Sequence, residues 1–146
     1  MGQQQVVLIL LVTVIVGIAT ILAINTMSNT LQQNNIDVVR VDLSVIAAQM
    51  QAYYQKPSAL GGGNKSFEGV SFNTIVFQAD TINASGSMAR NENGIYSIVS
   101  ATTSEVVIIA QPSSGPTMTF ANTSNSEITQ RATVSLSDVE MRYEIE

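Results

Sequence analysis

No cysteine and no histidine occur in this 146-residue chain, and tryptophan is missing as well. Without cysteine there is no disulfide framework and no thiolate metal site, and the redox compartment stays undetermined. Without histidine, nucleophilic triads, imidazole proton shuttles and His-ligated metals are out of reach. Charge is scarce too: Asp, Glu, Lys and Arg make up 12% of the residues, about half the usual share. Six basic residues face eleven acidic ones, for a net charge of −5. A nucleic-acid surface needs clustered cations to neutralise phosphates, and none is present. Proline occurs at 57, 112 and 116 only, so nothing breaks a helix before residue 57. Four Phe and four Tyr give no evident sugar-stacking platform.

What the chain does have is an apolar run. Residues 6–24 read VVLILLVTVIVGIATILAI, nineteen positions without a charge. As a helix they extend roughly 28 Å, close to the hydrocarbon thickness of a bilayer. A signal peptide would carry a basic start, an apolar stretch of about 7–15 residues and a small-residue cleavage site. The preceding MGQQQ has no Lys or Arg, the run is longer, and Ala19 and Ala23 make no A-x-A site. A single-span anchor is usually flanked by orienting charges. Here Asn25, Ser28, Asn29, Gln32, Gln33, Asn34 and Asn35 follow, and Asp37 is the first charged residue after the run.

Residues 36–56 (IDVVRVDLSVIAAQMQAYYQK) remain helical in pattern. Ile36, Val39, Leu43, Ile46, Met50 and Tyr53 or Tyr54 recur at spacings of three and four, one apolar stripe. Asp37, Arg40, Ser44, Gln51 and Gln55 fall mostly away from it, and Asp37 and Arg40 are spaced to pair weakly. Pro57 disfavours helical geometry at Lys56 and stops the helix. The prediction is one helix from about residue 3 to about residue 56, roughly 80 Å long. Its first half is apolar all round and its second half on one side only. The Asn-, Thr- and Ser-rich stretch 25–35 is where it would bend or partly unwind. The second half has a globular domain to pack on. The first half protrudes and needs lipid or a bundle of identical helices, with Gly17 offering close helix approach.

Beyond Pro57 the composition changes. Residues 57–68 form a Gly-rich linker, and Gly61-Gly62-Gly63 lacks the strand-before, helix-after context of a phosphate loop. Residues 69–146 are expected to form an antiparallel β-domain of four to six strands in a meander, with one face wet. Strands are expected over 70–79, 94–100, 105–111 and 117–121, with polar loops over 86–93 and 122–127. The last strand spans 133–146, where the alternation slips by one at Ser137-Asp138 and a bulge is expected. The fold class is therefore α+β: a long N-terminal helix packed on a small antiparallel sheet.

Candidate chemistry is sparse. Glu140, Glu144 and Glu146 share a strand face that reads as solvated rather than catalytic. Asp37 and Asp42 lack the spacing of a calcium loop. Asn64, Asn83 and Asn122 head Asn-x-Ser sequons, potential glycosylation positions. No catalytic, metal or cofactor residue is assigned, and no enzyme activity is expected.

A neutral tip, an apolar helix half, an amphipathic half and a small antiparallel sheet together resemble a type IV pilin. GQQQVVLILL, AYYQKPSALGGGN and NGIYSIVS are also similar to a group of pilin-like proteins of Bacteroidota and related phyla. The resemblance implies a structural subunit of an extracellular filament at the cell surface, serving functions such as adhesion or motility. It implies a homopolymer whose chains wait in the inner membrane, are trimmed by a prepilin peptidase and are built in by pilus assembly machinery. The filament core would be Val6, Val7, Leu8, Leu11, Val12, Ile15, Gly17, Ile18 and Leu22. Gln3, Gln4 and Gln5 would set the N-terminal register. Typical pilins carry a basic leader and a Glu at the fifth mature position. Here Gln5 or Val7 would stand there, so subunit register would rest on packing rather than an ion pair. The alternative from another class is a single-span membrane-anchored surface protein with a small β binding domain.

Overall fold

The computed structural model describes residues 2–113, 129–135 and 138–142. One helix, α1, runs Gly2–Gln55 without interruption, so the polar stretch 25–35 stays helical. Pro57 follows its end, as the sequence predicts. The chain divides into two compact units, Met1–Asn34 and Asn35–Glu146, with the boundary inside α1.

The second unit is an α+β body. Its helical part buries Ile36, Val39, Leu43, Ile46, Ala47 and Met50, the predicted stripe plus Ala47. All but Ile36 join one core cluster with Phe67, Phe72, Tyr96, Val106, Ile108, Ala132 and Val134. Complete burial of each large aliphatic side chain is worth about 1.5–3 kcal/mol before conformational entropy is counted. Tyr54 packs on Phe67 with ring centroids 4.8 Å apart, and Phe77 meets the Tyr96 ring edge-on at 5.1 Å.

The sheet is a six-stranded antiparallel meander in chain order: β1 (Thr81–Ile82), β2 (Met88–Arg90), β3 (Gly94–Ala101), β4 (Glu105–Pro112), β5 (Gln130–Ser135) and β6 (Val139–Arg142). β3 and β4 match the two clearest strands in the sequence. Their pairing slips between Ile98 and Ser100, which leaves Val99 as the extra residue.

Three expectations are corrected. Residues 70–79 form a turn followed by irregular chain, not a strand. The Ser71 N–H donates to Thr74 Oγ1 at 2.9 Å, and the Ser71 carbonyl accepts from both the Thr74 N–H and its hydroxyl. Such local side-chain bonding competes with a ladder. Val70, Phe72 and Ile75 are buried nonetheless, from a compact loop. The expected polar loop 86–93 contains β2, whose Ala89 is fully buried. β2 follows a tight turn at Gly86, which sits at φ +70° and where a side chain would press on Asn73 and Ser71. The phase slip near Ser137-Asp138 is not a bulge but a chain reversal, because Val134 pairs with Val139 across β5 and β6. The Ser135 N–H and hydroxyl both donate to the Asp138 carbonyl, closing that turn. The expected strand 117–121, the loop 122–127, and Glu144 and Glu146 lie outside the described residues.

The triple-glycine segment is a helix-to-loop connector. Gly61 takes a left-handed φ of +76°, and a Cβ on Gly63 would fall 1.8 Å from the Ser66 carbonyl oxygen. A side chain at Gly61 would be strained by that conformation, and one at Gly63 would force the backbone to move.

Candidate functional site

Two regions carry the molecule's unusual features, one in each unit. In the first unit, every large apolar side chain from Val6 to Ile24 is between 51% and 64% exposed. A soluble domain buries such residues, so this surface has no solvent of its own choosing in water. The helix is long and apolar enough to cross a membrane. Its hydroxyls are already satisfied: Thr13 donates to the Ile9 carbonyl at 2.7 Å, Thr20 to Val16 at 2.8 Å and Thr26 to Leu22 at 2.9 Å. A helix built this way enters an apolar environment without an orphaned donor.

The predicted core residues Val6, Val7, Leu8, Leu11, Val12, Ile15, Ile18 and Leu22 all belong to this exposed set. A Cβ added at Gly17 would meet nothing within 4 Å. Glycine inside a helix costs about 1 kcal/mol relative to alanine, and no contact among the described residues compensates. Gln3, Gln4 and Gln5 are exposed on the first turns of α1.

In the second unit the polar chemistry converges on Asp42. Its Oδ2 accepts from Asn91 Nδ2 at 2.9 Å, from Asn93 Nδ2 at 2.8 Å and from the Tyr96 hydroxyl at 2.5 Å. Seven residues earlier, two helical turns away on the same face, Asn35 Nδ2 donates to the Asn93 carbonyl at 3.0 Å. The turn between β2 and β3 is thereby fastened to the helix at two points. Asn91 shapes the turn, its Oδ1 accepting from the Asn93 and Gly94 N–H groups at 3.0 Å each. A third tie is Arg40, which bridges Asp37 at 3.1 Å and the fully buried Gln130 at 3.1 Å. The expected weak Asp37–Arg40 pair is present, but Arg40 also reaches the sheet. The helical stripe by itself does not show this contact. The signal was there: polar residues at 35 and 42 share one flank of the stripe, and Asn-x-Asn-Gly marks a turn able to receive them.

Burial, with the Asp42 hydrogen bond and charge adding to it, raises the Tyr96 phenol well above its ordinary value of 10.0. The folded state therefore keeps a proton that the unfolded chain gives up above about pH 10. Stability from this group is complete below that pH and is lost as pH rises beyond it. Alkaline titration followed by circular dichroism is expected to show this fall. Tyr96→Phe is expected to flatten it, and an unchanged slope would contradict the assignment.

Asp42 also lines a cleft of about 490 Å³ with Asp80, Glu92, Asn91, Asn93 and Phe77. Among the described residues, no three acidic groups gather closely enough to hold a metal. The sequon residues behave differently from one another. Asn64 is exposed, at φ +49°. The Asn83 side chain is occupied within its own turn, accepting from the Met88 N–H at 3.0 Å and donating to Ser87 at 3.2 Å. Asn122 lies outside the described residues.

No protein-family model matches the chain, and no curated protein or solved structure matches it.

Proposed function

We propose that this chain is the structural subunit of an extracellular filament of type IV pilin class, assembled by packing of its N-terminal apolar helices and without catalytic activity. One observation carries the reading: an uninterrupted helix whose first part exposes all of its large apolar side chains, joined to a separate unit with a complete core of its own. A surface of that kind is stable in a bilayer or in a bundle of like helices. Moving it from the first to the second exchanges one dry environment for another. In this reading the chain resides in the inner membrane before assembly, and a prepilin peptidase and assembly machinery are its earlier partners. The helix's ability to cross a membrane equally suits a single-span anchored surface protein with a small binding domain.

Shearing intact cells, pelleting the released material and measuring the intact mass of this chain separates the two. Recovery in the pellet with residues 6–24 attached supports the polymer. A chain confined to membranes, or cut near Ala23 in the supernatant, overturns it.

A further inference from the structure

The sequence holds one Asn-Gly dipeptide, Asn93-Gly94, where the β2–β3 turn enters β3. The fold uses both residues. A Cβ on Gly94 would fall 2.3 Å from the Gln111 carbonyl oxygen of β4, so no side chain fits there. Asn93 is one of the donors gathered by Asp42. Asparagine is chemically labile, most of all before glycine, whose unhindered backbone nitrogen can reach the side-chain carbonyl carbon. We propose that Asn93 is a latent deamidation site, held unreactive by the Asp42 clasp, and that its reaction opens the β2–β3 turn irreversibly.

The step needs only water. The Gly94 nitrogen attacks Asn93 Cγ and forms the new N–Cγ bond. The Cγ–Nδ2 bond breaks, and ammonia leaves with the proton lost from Gly94. Water then adds to either carbonyl of the resulting imide, leaving aspartate or isoaspartate at position 93. The structure restrains every participant. The Gly94 N–H is engaged by Asn91 Oδ1 at 3.0 Å, and the leaving amide donates to Asp42 Oδ2 at 2.8 Å. The Asn93 carbonyl is fixed from two sides, by Asn35 Nδ2 at 3.0 Å and by the Ser113 N–H at 2.7 Å. Gly94 is buried and pairs with Pro112. The Asn93 side chain swings onto the Gly94 nitrogen only when these ties release, so the rate follows the population of the opened turn.

Neither product restores the clasp. Aspartate at position 93 lacks the Nδ2 donor and sets a second carboxylate against Asp42, with Asp80 and Glu92 lining the same cleft. Isoaspartate adds a main-chain methylene beside Gly94, where β3 and β4 already touch.

Full-length chain in detergent is held at mildly alkaline pH, with and without urea enough to unfold the second unit. Digests taken at intervals give the conversion at position 93 by peptide mass spectrometry. Conversion is expected to be at least roughly tenfold slower in the folded chain. Asp42→Ala is expected to recover most of that factor. Asn35→Ala, which removes one tie and lies outside the core cluster, is expected to speed the folded chain roughly threefold or more and keeps the test valid if Asp42→Ala does not fold. Asp80→Ala, in the same cleft but outside the clasp, is expected to leave the rate unchanged. Asn93→Asp reproduces the aspartate product and is expected to melt several degrees below the unsubstituted chain. Equal rates with and without urea, or no conversion in either, overturn the guarded site. An Asn93→Asp chain that melts with the unsubstituted one overturns the irreversible opening. Both readouts come from dispersed subunits, so the filament reading stands or falls separately.

Discussion

Val12→Asp is expected to remove the chain from the sheared, pelletable fraction. Val12 sits near the middle of the apolar run, is half exposed and lies outside the core cluster of the second unit, so the change removes no core packing. The cost is environmental: an aspartate at the centre of a spanning helix is disfavoured by about 3 kcal/mol on insertion scales. That is roughly a hundredfold in an equilibrium constant. The bundle of a filament core is as dry as lipid, so the penalty holds in either setting. Val76→Asp, in the exposed loop of the second unit, is the matched control and is expected to leave the yield unchanged. Equal yields from Val12→Asp and the unsubstituted chain would mean that the apolar helix occupies neither a polymer core nor a membrane.

Asp42→Ala is expected to give the second-largest effect, on stability rather than assembly. It removes the acceptor for Asn91, Asn93 and Tyr96 at once. The asparagines are half-buried and regain water, but the Tyr96 side chain is fully buried and its hydroxyl loses the Asp42 carboxylate as acceptor. Hydrogen bonds to a charged group are worth about 1.5–3 kcal/mol each, and stranding a buried donor costs more than losing an exposed one. A net loss of about 3 kcal/mol follows, on the order of 10 °C in Tm for a unit of this size. Asp80→Ala, at an exposed carboxylate of the same cleft, is expected to change stability by less than about 0.5 kcal/mol. Thermal melts of both full-length variants in detergent provide the comparison. Equal losses would show that general cleft charge, and not the Asp42 clasp, holds the β2–β3 turn.

Three segments depart from what their alternation suggests. At 70–79 the residue types favour a strand, yet Ser71 and Thr74 close a local turn and the apolar side chains reach the core without a ladder. Near Ser137-Asp138 a one-residue slip has two physical solutions, a bulge or a reversal. Pairing of Val134 with Val139 selects the reversal. At β2 three residues, with Ala89 alone fully buried, are too few for alternation to register. At 70–79 and at 133–146 the deciding contact is local but not periodic, and at β2 it is the pairing with β3, so alternation registers none of them. The proposed site was half legible in the same sense. An unbroken apolar run announces itself by composition, but the gathering of donors from residues 91, 93 and 96 on Asp42 leaves only a faint sign, polar residues at 35 and 42 on one flank and an Asn-x-Asn-Gly turn far along the chain.

The sequence alone determined the long helix, its stop before Pro57, its all-round apolar first half and the core-facing stripe from Ile36 to Met50. These follow from residue spacing and from the fixed backbone geometry of proline, which need no distant partner. Only the tertiary structure decided that the boundary between units falls within the helix at Asn34, that Arg40 and Asp42 tie helix to sheet, and that Val38, Val41 and Val45 remain outside the core. Those facts depend on which side of the helix the sheet covers. That is settled by long-range packing and hydrogen bonding between residues 49 to 90 positions apart, which local periodicity does not encode.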